Sequence, residues 1–117
     1  MPGDKIMVLR KVWLDKILTR EKRIELRGQN LKPAVYFIGH KQRVYGVIRT
    51  GPARLVECLA DFRKLLPLHG LDTHKLPYTR TFAIPIEQVC ALEKPVPYKH
   101  PRGAIGICRY VKLELAE

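Results

Sequence analysis

Apolar residues in this chain arrive only in short bursts, and that limits its possible folds more than any other feature. The longest clean run is Ala34-Val35-Tyr36-Phe37-Ile38, and prolines or glycines punctuate most of the others. Runs of this length suit strands, whereas a bilayer-spanning helix needs about 20 apolar residues. Arg23-Ile24-Glu25-Leu26-Arg27 alternates strictly, so it reads as a strand with Ile24 and Leu26 facing a core. Glu25 and Arg27 then share the opposite face. Ala34–Gly39 and Val44–Arg49 read as a hairpin turning at 40–43. Thr81–Ile86 and Gln88–Leu92 read as strands interrupted or edged by Pro85, and a long last strand runs from Ile105 to Leu115. Two helices are expected. One covers Val12–Glu21, with Trp13, Ile17 and Leu18 at helical spacing. The other covers Ala53–Leu66, where Leu55, Cys58 or Leu59, Phe62, Leu65 and Leu66 form a stripe that Pro67 stops, and 67–79 reads as a loop. Strands outnumber helices and do not alternate with them. The expected class is therefore α+β, a small curved sheet or partly closed barrel flanked by two or so helices, and not a parallel βαβ fold. A length of 117 residues predicts one domain over 1–117.

Charge narrows the partner. The chain has 22 Lys+Arg against 11 Asp+Glu, a formal net charge of +11. Such a field draws polyanions, of which nucleic acid is the commonest. A solubilising surface, or an adaptor for an acidic protein, remains an alternative. The basic residues gather at 5–27 and again at Lys94, Lys99, Arg102, Arg109 and Lys112. Neither group lies beside an amphipathic anchor, so a membrane is not the expected partner. Charges at Asp4, Lys5, Arg10, Lys11, Asp15 and Lys16 leave no room for a signal-peptide apolar region. Cys58, Cys90 and Cys108 form no Cys-x-x-Cys pair, and His69 and His74 lack a third ligand. Reduced thiols, a cytoplasmic or nuclear location, no metal and no cofactor are the expectations.

Lys22, Glu25 and Arg27 are the leading site candidates. Lys22 sits at the helix-to-strand junction and can swing towards the face that Glu25 and Arg27 share. A carboxylate between two cations stays ionised and accepts from a base's exocyclic amine, while the cations take phosphate or carbonyl oxygens. The same trio also reads as a structural ion pair. Trp13 and Tyr45 are either core residues or stacking platforms for a base. Tyr98, Lys99, His100 and Arg102 form a basic, aromatic loop flanked by prolines, suited to ordering a phosphate or to an ordinary turn.

The stretch from Trp13 to Arg27 resembles the signature of the ASCH domain, a branch of the PUA-like superfamily. Trp13, the Ile17-Leu18 pair, Lys22, Glu25 and Arg27 match its spacing. Tyr45-Gly46-Val47-Ile48 resembles the family's second barrel strand, and 97–104 the lead into its last. The resemblance implies a PUA-like pseudobarrel whose cleft, beside the helix that precedes the Lys, binds RNA or another nucleic acid. Some small members remove the acyl group from acetylated cytidine, and others are credited with ribonuclease activity. Arg20 stands where the family has Gly. Glu25 stands where the amidohydrolase-like members carry a nucleophilic Thr. Hydrolysis here would need Glu25 as general base, with Lys22 stabilising the oxyanion.

Overall fold

The computed structural model describes residues 4–73, 75–99 and 107–111. Its elements, in chain order, are β1 (Asp4–Val8), α1 (Lys11–Leu18), β2 (Ile24–Arg27), β3 (Val35–His40), β4 (Arg43–Thr50), β5 (Arg54–Val56), α2 (Leu59–Lys64), α3 (Leu66–His69), β6 (Thr81–Pro97) and β7 (Ile107–Val111). The strands form one sheet in the order β2-β6-β4-β3-β1-β7, with β5 also paired to β6. All of the pairs are antiparallel except β1 with β3, which are parallel through a crossover carrying α1 and β2. The result is a small mixed α+β domain whose sheet curls into a half-barrel.

Burial explains the elements. Met7 faces the main core with Tyr36, Ile38, Ile48 and Ile84, and Leu14 and Ile17 of α1 fill its interior. Gly46 admits α1 closely, since a Cβ there would stand 2.9 Å from both Leu18 Cδ2 and the Cys90 carbonyl. On the other face of β1, Ile6 joins Val44 and Tyr98 in a second cluster. A third cluster packs Ile24 and Leu26 of β2 against Val56, Phe62 and Ala83.

The structure corrects the sequence reading in three places. Residues 4–8, left unassigned from sequence, form a strand whose consecutive Ile6 and Met7 are fully buried, one on each face, so it shows no alternation. The expected helix over Ala53–Leu66 is divided. Residues 54–56 pair with Ala83, Phe82 and Thr81 as β5, and Leu55 is 39% exposed instead of lying on an apolar stripe. Helical turns begin only at Leu59, and Pro67 sits in the first turn of α3, where its missing N–H costs nothing. Finally, Pro85 interrupts nothing. Its carbonyl accepts from Gly51 N–H at 2.9 Å and the next residue, Ile86, donates to Arg23 O at 2.8 Å, so β6 runs through as one strand.

Candidate functional site

The curl of the sheet brings β2, at one end of the strand order, against the close of β1. Arg27 makes the join, its Nη2 donating to Val8 O at 3.3 Å. Beside this seam lies a cleft of ≈ 340 Å³. Its walls are Val8, Leu9 and Arg10 from the β1–α1 joint, Trp13 of α1, Lys22, Glu25, Leu26 and Arg27, and Leu71, Pro77 and Tyr78 from the loop after α3. A larger hollow of ≈ 450 Å³ lies over Val35, Val47, Ile48, Val89 and Cys90, with Arg49 as its one charged lining residue. Titratable groups converge on the smaller one.

Local backbone sets the trio. After α1, Arg20 adopts φ 68° and Lys22 N–H bonds back to Lys16 O at 3.0 Å, which turns the chain into β2 and tucks Lys22 inward. Lys22 is 3% and Glu25 6% exposed. Lys22 Nζ donates to His69 O at 2.6 Å, lies 3.8 Å from Glu25 Oε1 and stands 4.9 Å from the centre of the Trp13 ring. Glu25 Oε2 accepts from Arg27 Nε at 3.1 Å and is 3.0 Å from Nη2. One carboxylate oxygen is thus held in a fork, while the other is only loosely engaged and keeps acceptor capacity.

Burial lowers the Lys22 pKa from that of an ordinary lysine, and Arg27 and Lys16 nearby add to this, while Glu25 opposes it. His69, whose carbonyl anchors Lys22, is itself fully buried and stacked on Phe62 with ring centres 4.3 Å apart. Leu71 N–H donates to His69 Nδ1 at 2.9 Å, so Nδ1 carries no proton, and Nε2–H donates to Phe62 O at 2.8 Å. Those bonds fix one neutral tautomer, and both burial and the Lys22 charge lower the pKa of the ring. The ring nitrogens are fully engaged by backbone. His74, its sequence companion, lies outside the described residues.

Of the residues singled out from sequence, Trp13, Lys22, Glu25 and Arg27 meet in the cleft. Tyr45 does not line it; it packs on the main core with Lys11 Nζ 5.2 Å from its ring centre. Tyr98 is no stacking platform, because it is 3% exposed and belongs to the cluster with Ile6 and Val44. Lys99 is exposed and lines a separate hollow with Lys41, Gln42 and Arg43. His100 and Arg102 lie outside the described residues. Sequence reasoning missed Arg10 and Tyr78. Tyr78 is 42% exposed at the cleft, and its ring lies against Gly28, where a Cβ would be 3.1 Å from Cδ1. Neither residue sits in a periodic segment, so no pattern marks it.

Neither a scan against protein-family models nor a search of curated proteins finds a match for this chain.

Proposed function

We propose that this protein binds RNA, or a nucleotide derived from it, with a base in the cleft of Trp13, Lys22, Glu25 and Arg27. The observation that carries this reading is the loosely engaged oxygen of Glu25, placed beside a buried ammonium and an indole in a cleft with room for a base. That oxygen accepts from an exocyclic amine, Lys22 donates to a neighbouring ring acceptor, and Trp13 and Tyr78 offer stacking worth on the order of 1–3 kcal/mol per base. The net charge of +11 supplies sequence-independent attraction to phosphates. The resemblance of Trp13–Arg27 to the ASCH signature supports the same reading, and a curled half-barrel sheet is consistent with it.

Trp13 is the one tryptophan in the chain, so its fluorescence reports on the cleft directly. Cytidine monophosphate is expected to quench it, and single-stranded RNA to bind with an affinity that falls as salt rises. Arg27→Ala should weaken both. A flat salt response together with unquenched fluorescence rejects the proposal.

One observation favours a second reading, a small hydrolase of acylated cytidine or of RNA. Lys22 is buried beside Glu25, and burial lowers its pKa from the ordinary lysine value, which eases proton exchange at its ammonium. Glu25 would activate water. Incubation with acetylcytidine followed by chromatography separates turnover from binding. Product that is lost in Glu25→Gln and in Lys22→Ala supports hydrolysis; absence of product in the wild type rejects it.

A further inference from the structure

The β3–β4 turn departs from ordinary hairpin chemistry. Its two central residues, Lys41 and Gln42, have φ 49° and 62°, the left-handed conformations in which Asn-Gly is the usual pair. This turn, with the end of β6, encloses an open hollow of ≈ 500 Å³ lined by Lys41, Gln42, Arg43, Pro97, Tyr98 and Lys99. Three of those six side chains are cations, and none of the three forms an ion pair among the described residues. Tyr98 N–H bonds to Gln42 O at 2.9 Å, which holds the two walls together.

The hollow and the cleft share no lining residue, but they lie at the same end of the β1–β3 pair. Leu9 lines the cleft, and both of its backbone groups are tied to the end of β3: Leu9 N–H donates to Gly39 O at 2.9 Å, and His40 Nδ1 lies 2.9 Å from Leu9 O. Lys41 is the next residue along. Lys41, Arg43 and Lys99, which form no ion pair among the described residues, therefore stand at the end of the sheet towards which a chain leaving the cleft along the β3 end would run.

We propose that Lys41, Arg43 and Lys99 form a second anion site that grips the phosphodiester backbone of the RNA strand whose base occupies the cleft. The inference rests on the cleft reading and extends it from one nucleotide to a directed strand. A phosphatidylserine surface offers similar negative charge but needs an apolar anchor beside the cations. Among the described residues the exposed large apolar side chains are Val12, Val35, Leu55 and Tyr78, none of which lines the hollow.

The test compares two probes, cytidine monophosphate and a short oligocytidylate, followed by Trp13 fluorescence and by filter binding at stepped salt. Lys41→Ala/Arg43→Ala/Lys99→Ala is set against Lys32→Ala/Arg54→Ala/Lys64→Ala, which removes the same charge from other exposed positions, with circular dichroism checking both for folding. The hairpin variant should bind the mononucleotide as the wild type does. Its oligocytidylate affinity should drop at least about tenfold at low salt, and the logarithmic salt slope should shrink by about 2, from three lost contacts at about 0.7 each. The control variant should keep most of the slope. Equal losses in both variants, or an unchanged slope in the hairpin variant, overturn the second site and leave the cleft reading in place. Failure of the wild type to bind either probe removes the cleft reading and this site together. Hairpin-dependent binding to phosphatidylserine vesicles, with oligocytidylate unaffected, also overturns the proposal.

Discussion

Arg20 holds a backbone conformation, φ 68°, that a side chain with a Cβ resists by on the order of 1 kcal/mol. Its side chain is exposed, and the hydrogen bonds made there use its backbone: Arg20 N–H to Ile17 O, and Arg23 Nε to Arg20 O. Arg20→Gly keeps those bonds and relieves the strain, so it should stabilise the fold by roughly 1 kcal/mol and raise the melting temperature by a few degrees. An unchanged or lower melting temperature would show that the αL turn is not strained. Glu25 is the opposite case. Glu25→Gln leaves Lys22 and Arg27 inside the protein without their counter-charge, and should cost about 3 kcal/mol in urea unfolding. A loss below about 1 kcal/mol would mean that the trio is solvated and contributes little to the fold. The pairing of Glu25 with Arg27 was legible in the letters because a strand's period of two leaves no other arrangement. The burial of Tyr98 was not. Between Val44 and Gly46 of β4, the facing chain advances from Val96 to Ala91, and this bulge redirects the arm that carries Tyr98.

Whole elements were legible where one face is wet. The hairpin of β3 and β4 and the helix α1 set one face on the core and the other in solvent, and both appear where periodicity puts them; β2 also appears there, although its polar face is buried around Glu25. β1 is covered on both faces, and residues 54–56 lie beside β6 despite a helix-like apolar spacing, so tertiary pairing overrode pattern in each. Gly46 shows how tightly two elements can meet. Gly46→Ala sets a methyl against the Cys90 carbonyl, a backbone atom that cannot rotate away, and should cost about 1–3 kcal/mol and loosen α1 from the sheet. Faster amide exchange in α1 is the measurement, and unchanged exchange would contradict it. α3 carries a pH dependence. Unfolded His69 takes up a proton as pH falls through about 6.5, whereas the folded ring resists it, being buried with Nδ1 already accepting from Leu71. The unfolded state thus binds more protons, and stability falls on acidification by up to about 1.4 kcal/mol per pH unit until the folded ring also protonates. His69→Gln should start less stable and lose that part of the slope; retention of the full slope would assign it to other groups.

At the scale of the molecule, charge sets two responses to salt that run in opposite directions. A chain of net charge +11 repels itself when compact, and among its described residues the one exposed ion pair is Lys11 with Asp15 at 2.7 Å. Screening therefore removes more repulsion than attraction, and the melting temperature should rise as sodium chloride increases from about 0.05 to about 0.5 M, where the Debye length shrinks several-fold. The buried contacts of Lys22, Glu25 and Arg27 are shielded from that screening, so the seam between β2 and β1 persists. If the protein binds RNA as proposed, that affinity should fall over the same range, because binding releases counterions whose return the added salt favours. The two measurements use one protein and one titration, so they separate a weakened complex from a weakened fold. If the melting temperature and the affinity fell together, loss of binding would reflect unfolding, and the surface cations would have to be serving local pairs instead of a polyanion.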